Sequence, residues 1–220
     1  MVAEGYSSNA GNITTNISVS AIPTFQQEAE DVLGPLNKSF VTTGILYDRV
    51  FPLANLESYK GLASDDTTSS VHFTQAYSEI YNSLYNKTGY KTPEELESYL
   101  TSNYTGKTHT IGALFFKYNY LDTNAIKNNQ IYVSNGKLYD TPNRTSSPYI
   151  EATTMIASPL FPAEAELEEG SHTFTFDPTT VISNSAFNIA KVNIDFGMVP
   201  EVKFFTPVAA QLARKSQTRK

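Results

Sequence analysis

The residues able to carry chemistry are few: His72, His109 and His172, the glutamates Glu164, Glu166, Glu168 and Glu169, the pair Asp65-Asp66, Ser171 beside His172, and Asp195-Phe196-Gly197. Convergent histidines would suit zinc, which takes at least three protein ligands in a catalytic site. The three here fall on separate elements, with no His-Glu-x-x-His or His-x-His spacing, and read as ordinary surface or strand-end residues. A serine hydrolase would carry a Gly-x-Ser-x-Gly elbow, and the chain has none. Ser171 and His172 are neighbours on a strand and so point to opposite faces. Asp195-Phe196-Gly197 shares three letters with the magnesium motif of kinases, but the Gly-rich loop, strand lysine and catalytic loop are missing. It reads as a strand ending in a glycine turn. The glutamate run lacks the Asp/Asn/Gly ligand spacing of a calcium loop and reads as a solvated connection, as does Asp65-Asp66. With no cysteine, disulfides, thiolate metal sites and cysteine nucleophiles are excluded. Neither a metal nor a cofactor is expected.

Tyrosine is the abundant functional group, 14 residues against no tryptophan. Tyrosine rings stack on apolar faces while their hydroxyls hydrogen-bond, which suits a sugar-binding or adhesive platform. Tyr118, Tyr120, Tyr139 and Tyr149 are the binding candidates. Tyr77, Tyr81 and Tyr85 sit on an apolar helix stripe, where core packing is the better reading. Asn-x-Ser/Thr sequons at Asn12, Asn16, Asn37, Asn86, Asn103 and Asn143 are weak signals in a chain so rich in Asn, Ser and Thr.

These residues must be positioned by two kinds of element. Phe73, Ala76, Tyr77, Ile80, Tyr81, Leu84 and Tyr85 recur with a helical period and predict a helix over 72–86, with Gly89 placed to end it. Thr92-Pro93-Glu94-Glu95 is a helix start with N-cap, N1 proline and capping glutamate, and Leu96, Tyr99 and Leu100 give its buried side. The two helices read as a hairpin. Thr24-Phe-Gln-Gln27 is a second capping box, opening a short helix that stops before Gly34-Pro35. Residues 43–56, interrupted by Pro52, predict an irregular buried segment or a short edge strand.

From His109 the period becomes two. Leu114, Phe116, Tyr118 and Tyr120 share one strand face, with Lys117 and Asn119 on the other. Asn135-Gly136 between Ile131-Tyr-Val133 and Leu138-Tyr139 predicts a type I′ hairpin, because both residues tolerate positive φ. Strands are expected at 110–121, 130–134, 137–140, 150–157, 172–177, 188–196 and 201–206, separated by turn chemistry such as Asp177-Pro178. The expected fold is α+β: a small helical N-terminal part and an antiparallel, Ig-like β-sandwich. The expected divisions are a flexible leader over 1–22, the helical part over 23–107, the sandwich over 108–208 and a basic tail over 209–220.

Composition limits the partners. A net charge of −6 argues against nucleic acid, which needs a cationic face. No apolar run approaches the about 18 residues of a transmembrane span. Charged residues make up only 17%, and Ser, Thr and Asn supply the polar bulk, a leaning toward export. The start lacks a basic, then apolar, leader, so either the chain stays inside or a signal peptide has been removed. Arg214, Lys215, Arg219 and Lys220 form the one basic cluster, read as a solvated tail.

Thr43-Gly-Ile-Leu-Tyr-Asp-Arg-Val-Phe-Pro-Leu-Ala-Asn-Leu56, Gln75-Ala-Tyr77, Tyr81-Asn82, Ile111-Gly-Ala-Leu114, Tyr118-Asn-Tyr120, Asn135-Gly-Lys-Leu-Tyr-Asp140, Arg144-Thr-Ser-Ser-Pro-Tyr149 and Ile194-Asp-Phe-Gly197 together resemble the N-terminal region of large uncharacterised secreted proteins of Bacteroidetes-type bacteria. The likeness covers about residues 24–200. It implies a signal peptide, helical and sandwich regions, further domains and a C-terminal sorting signal, with no established activity for this region. The chain lacks both end signals, and Met198 stands where the family often has Asp. Asp66-Thr67-Thr68 matches the short O-glycosylation signal common in those bacteria.

The resulting expectation is a non-enzymatic, exported structural or ligand-binding module of a larger surface protein, its partner a glycan or a surface protein. Two alternatives stand beside it. One is a secreted hydrolase needing two carboxylates about 5 to 9 Å apart, with Asp48, Glu57, Asp65 and Glu79 the first to inspect. The other is a scaffold docking an anionic partner through the basic tail.

Overall fold

Alternation along one strand decides the architecture. The computed structural model describes residues 23–59, 68–104, 106–162, 170–186, 192–194, 203–205 and 211–214. In chain order the helices are α1 (Phe25–Leu33), α2 (Ser70–Ser83) and α3 (Pro93–Asn103). The strands are β1 (Thr108–Leu121), β2 (Ile131–Ser134), β3 (Lys137–Asp140), β4 (Tyr149–Leu160), β5 (His172–Ser183), β6 (Val192–Ile194), β7 (Lys203–Phe205) and β8 (Gln211–Arg214). Strands β4, β1, β5 and β8 form one sheet in that order, while β2-β3 and β6-β7 are separate two-stranded ribbons.

β1 pairs antiparallel with β4 along nearly its whole length, from Thr110 opposite Leu160 to Leu121 opposite Tyr149. Its other edge is shared. The first half runs parallel to β5, and the second half meets the loop at Leu46, where the Asn119 amide donates to the Ile45 carbonyl at 2.9 Å. The sheet is therefore mixed. This corrects the antiparallel, Ig-like expectation: β1 and β5 are joined by a crossover that returns the chain in the same direction. The expected strand end at Asp177-Pro178 also moves. The pairing shifts register between Ile111 and Ala113, and β5 resumes with Val181 opposite Ala113. A proline cannot donate to a ladder, so a bulge accommodates it and the strand continues to Ser183.

Even-numbered side chains of β1 face the helices. Leu114, Phe116 and Tyr118, with Ile156 and Leu160 of β4, pack against Phe73, Ala76, Tyr77 and Ile80 of α2 and Leu96 and Leu100 of α3. Helical and β residues thus share one core, across the expected boundary at residues 107–108. Gly112 lies close against the core, where a Cβ would meet Leu160 Cδ1 at 2.6 Å and push that side chain aside. A second cluster joins Leu33, Leu36, Val41 and Leu46 to Ala125, Ile131 and Tyr149. It seats α1 against the β2-β3 hairpin, with Lys137 paired to Asp31 across the contact.

Local chemistry explains the element ends. Asn135 and Gly136 have φ of 49° and 74°, as a type I′ turn demands. Thr24 and Gln27 form the expected capping box, and so do Thr92 and Glu95, each pair exchanging two hydrogen bonds. α2 starts on Ser69, whose hydroxyl accepts from the His72 amide, and it ends at Ser83 before its stripe does. Leu84 turns extended and Tyr85 donates to the Gly44 carbonyl, so bridging to the 43–46 segment wins over another helical turn. Residues 43–56 are irregular as expected, held by short 3-10 turns at Tyr47–Arg49 and Leu56–Ser58. β8 places Arg214 in a strand beside β5. The leader over 1–22 and the basic residues Lys215, Arg219 and Lys220 lie outside the described residues.

Because the core crosses the helical–β boundary, Leu114→Ala lowers stability by about 3 kcal/mol. Circular dichroism of the helices and tyrosine fluorescence then report one common, shifted urea transition; two separated transitions would contradict a shared core.

Candidate functional site

The helical hairpin and the resumed half of β5 enclose a cleft of about 350 Å³. Phe73 and Tyr77 of α2, Leu96 and Tyr99 of α3, the link Gly89-Tyr90-Lys91, Leu160, and Thr180 to Ser183 line it. Each element arrives for a sequence reason. Gly89 has φ +87°, so the link turns in a conformation that side-chain-bearing residues rarely adopt. The Thr92 cap and Pro93 then start α3 at once, leaving Tyr90 and Lys91 on the lip. The bulge in β5 brings Thr180 to Ser183 up as the far wall. The Tyr77 hydroxyl donates to the Lys91 carbonyl at 2.7 Å and ties the link to α2.

The lining is aromatic with hydroxyl groups. Tyr77 is buried, and burial, helped by Tyr81, Tyr90 and Glu95 nearby, pushes its phenol up to about 12. Burial also raises the Tyr90 phenol. Tyr90 and Tyr99 are half-buried, and the Tyr90 ring lies 6.1 Å from that of Phe116. Such a cleft can stack a ring and hydrogen-bond its edges. Among the described residues no carboxylate lines it.

Two of the carboxylates inspected for hydrolysis, Glu79 and Asp48, hold backbone instead. Glu79, 4% exposed, accepts from the amides of Leu53 and Ala54, the latter at 2.5 Å, and from the Tyr47 hydroxyl at 2.9 Å. Burial, then that hydrogen bond to Glu79, pushes the Tyr47 phenol far up. Asp48 accepts from the Leu121 amide at 2.7 Å, and burial raises its carboxyl. Glu57 is exposed on the 56–58 turn, and Asp65 lies outside the described residues.

His109 and His172 do meet. Their rings stack with centroids 5.0 Å apart, and His109 Nε2 lies 2.8 Å from His172 Nδ1. His109 is buried among Phe161, Phe174 and Tyr104, and its Nδ1 has no partner among the described residues. Burial, then the charge on His172, lowers the His109 pKa. His72 is exposed on α2. Among the described residues no group of three or more His, Cys, Asp or Glu could hold a metal ion. The glutamate run 164–169 and Asp195-Phe196-Gly197 lie outside them.

The four candidate tyrosines are not brought together. Tyr118 is in the main core, 1% exposed, its hydroxyl without a partner among the described residues. Tyr120 is packed against that core. Tyr149 is buried in the second cluster, with its hydroxyl 3.3 Å from the Asn37 carbonyl it donates to. Tyr139 stacks on Tyr132 across the hairpin, rings 5.6 Å apart. The alternation that marks an apolar face also carries Tyr118 into the core, so it has no ring face to offer a ligand. Tyr90, Lys91 and Tyr99 were not among the candidates. Their signal was the Gly89 link directly followed by the Thr92 cap, which confines the intervening residues to the mouth between two helices.

No family model, no curated protein and no solved structure matches this chain.

Glu79→Gln, which keeps the shape but loses the charge that gathers three donors, costs about 2 kcal/mol in urea unfolding, and the cost shrinks in a Tyr47→Phe background. The histidine pair predicts a pH response. With its folded pKa below the ordinary 6.5, His109 takes up its proton more readily when unfolded, so stability is full above about pH 6.5 and falls as pH drops toward the lowered value. His109→Phe, which fills the same aromatic cage without a proton, flattens that slope in unfolding curves recorded between those limits.

Proposed function

We propose that this chain is a non-catalytic ligand-binding module whose cleft between α2, α3 and β5 receives a small, ring-containing ligand, a carbohydrate. One observation carries the reading: the half-buried rings of Tyr90 and Tyr99 line the cleft above the buried Phe73 and Tyr77, and among the described residues no carboxylate or histidine lines it. Aromatic faces stack on the apolar faces of sugar rings, and hydroxyls satisfy the equatorial edges. The buried Glu79, and Asp48 of the 47–49 turn, both accept backbone amides, which argues against a hydrolytic role for them.

Export to the cell surface belongs to the same reading. It is supported by the low charge, the Ser/Thr/Asn-rich composition, the lack of cysteine and the resemblance to surface proteins of Bacteroidetes-type bacteria. Among the described residues no helix is long and apolar enough to cross a membrane. The glycan would be met by this module as part of a larger adhesive or surface protein.

A panel of mono- and disaccharides titrated into ¹⁵N-labelled protein tests the proposal. Amide shifts are expected to cluster at residues 89–91, 96–99 and 180–183. Tyr99→Ala, which removes one half-buried wall, weakens the bound sugar about tenfold, in keeping with loss of about 1.4 kcal/mol of stacking. Shifts confined to the Tyr132-Tyr139 hairpin would move the site there, and no shifts anywhere would refute sugar binding.

A further inference from the structure

The cleft has a sign as well as a shape. Among the described residues Lys91 is the one charged residue lining it, and it is exposed on the lip. Its Nζ stands 6.0 Å from the centroid of the Tyr99 ring, over the aromatic wall. Several other cations of the described residues are engaged elsewhere. Arg49 pairs with Glu30 and lies 4.2 Å over Tyr85, Arg144 pairs with Asp140, and Lys117 pairs with Glu151. Lys137 holds Asp31, and Lys38 caps the carbonyls of Leu33 and Gly34 at the end of α1. Lys91 has no carboxylate within ion-pair distance among the described residues. Of the two acidic residues that open α3, Glu94 is hydrogen-bonded by the Thr92 side chain and Glu95 Oε2 accepts the Thr92 amide at 2.8 Å to complete the cap.

An acidic chain with net charge −6 thus keeps a carboxylate-free cleft with a single ammonium at its mouth. The net charge disfavours anions at long range, but at physiological salt that field is screened beyond about 8 Å, and a ligand seated in the cleft meets Lys91 first. We infer that the ligand of this cleft is an acidic sugar, a hexuronate-type ring whose carboxylate meets Lys91 while its ring packs against Tyr99 and Tyr90. The inference rests on the cleft being the binding site proposed above. A volume of about 350 Å³ lies at the small end of ligand sites and suits one or two sugar rings. Lysine is a flexible point charge suited to a single carboxylate, with no demand for the two-pronged geometry of arginine.

The test compares two probes alike except at one carbon, methyl glucuronoside and methyl glucoside, by amide and side-chain NMR titration. The uronoside is expected to bind about fivefold more tightly, the increment of a partly exposed charge pair. Lys91→Gln removes that preference, Lys91→Arg retains it, and raising the salt concentration severalfold narrows it, while glucoside affinity changes less than about twofold throughout. Since Lys91 is exposed, both variants keep the wild-type amide spectrum outside the lip. Equal binding of the two probes at the cleft, unaffected by Lys91→Gln, overturns the acidic-sugar inference and leaves the sugar-binding reading in place. Shifts from neither probe at the cleft overturn both.

Discussion

Everything in this fold leans on the two hydrogen-bonding edges and one apolar face of β1. Fourteen residues long, it offers one edge to β4 and divides the other between β5 and the 43–46 loop. Its even face carries Leu114, Phe116 and Tyr118 under the helices. A half-buried strand with one apolar face needs a cover, and here α2 and α3 supply it. The helical hairpin cannot keep Ile80 or Leu96 dry without that face, and the sheet cannot keep Phe116 dry without the hairpin. The cleft lies where this mutual cover is incomplete, at the side where β5 resumes after its bulge.

The polar interior serves the same end. Loop 50–55 has no regular ladder of its own, so its amides need acceptors, and the buried Glu79 carboxylate supplies them to Leu53 and Ala54. Asn119 plays a similar part, its side-chain carbonyl accepting from both the amide and the hydroxyl of Thr43. Asn184 completes the seam where β5 leaves off, its amide group donating to the Lys117 and Thr43 carbonyls. These groups look like candidate chemistry in a sequence, but each is engaged in closing irregular backbone.

Much of the local structure was legible and less of the assembly. The Asn135-Gly136 turn, both capping boxes and the α2 stripe are written in short-range steric and hydrogen-bonding rules, and the structure follows them. Direction across the sheet is different. Nothing local to His172–Ser183 states whether that strand lies parallel or antiparallel to β1, and the Asp177-Pro178 pair looks like a strand end because a bulge and a turn use the same residues. Similarly, alternation identified which residues of β1 share a face but not which object would cover it. A second sheet and a helical hairpin both satisfy that pattern, so the sandwich expectation gave way to a helix-covered mixed sheet. Tyr118 and Tyr149 illustrate the consequence for the site: an aromatic residue in a strand reads equally as platform or core until its cover is known.

The cleft was invisible for a related reason. Its walls come from α2, the link, α3, β4 and β5, and no two of its tyrosines belong to the same element. Sequence spacing detects sites built on one element, such as paired ligands a helical turn apart, and is blind to sites built by convergence. What the sequence did contain was the constraint that makes the convergence possible. A glycine with positive φ followed three residues later by a helix cap leaves the intervening pair, Tyr90-Lys91, no room to enter either helix. The Tyr77 hydroxyl bond to the Lys91 carbonyl then pins the backbone of that link to α2, so the position of the mouth is set by the main chain while the Lys91 side chain itself stays exposed.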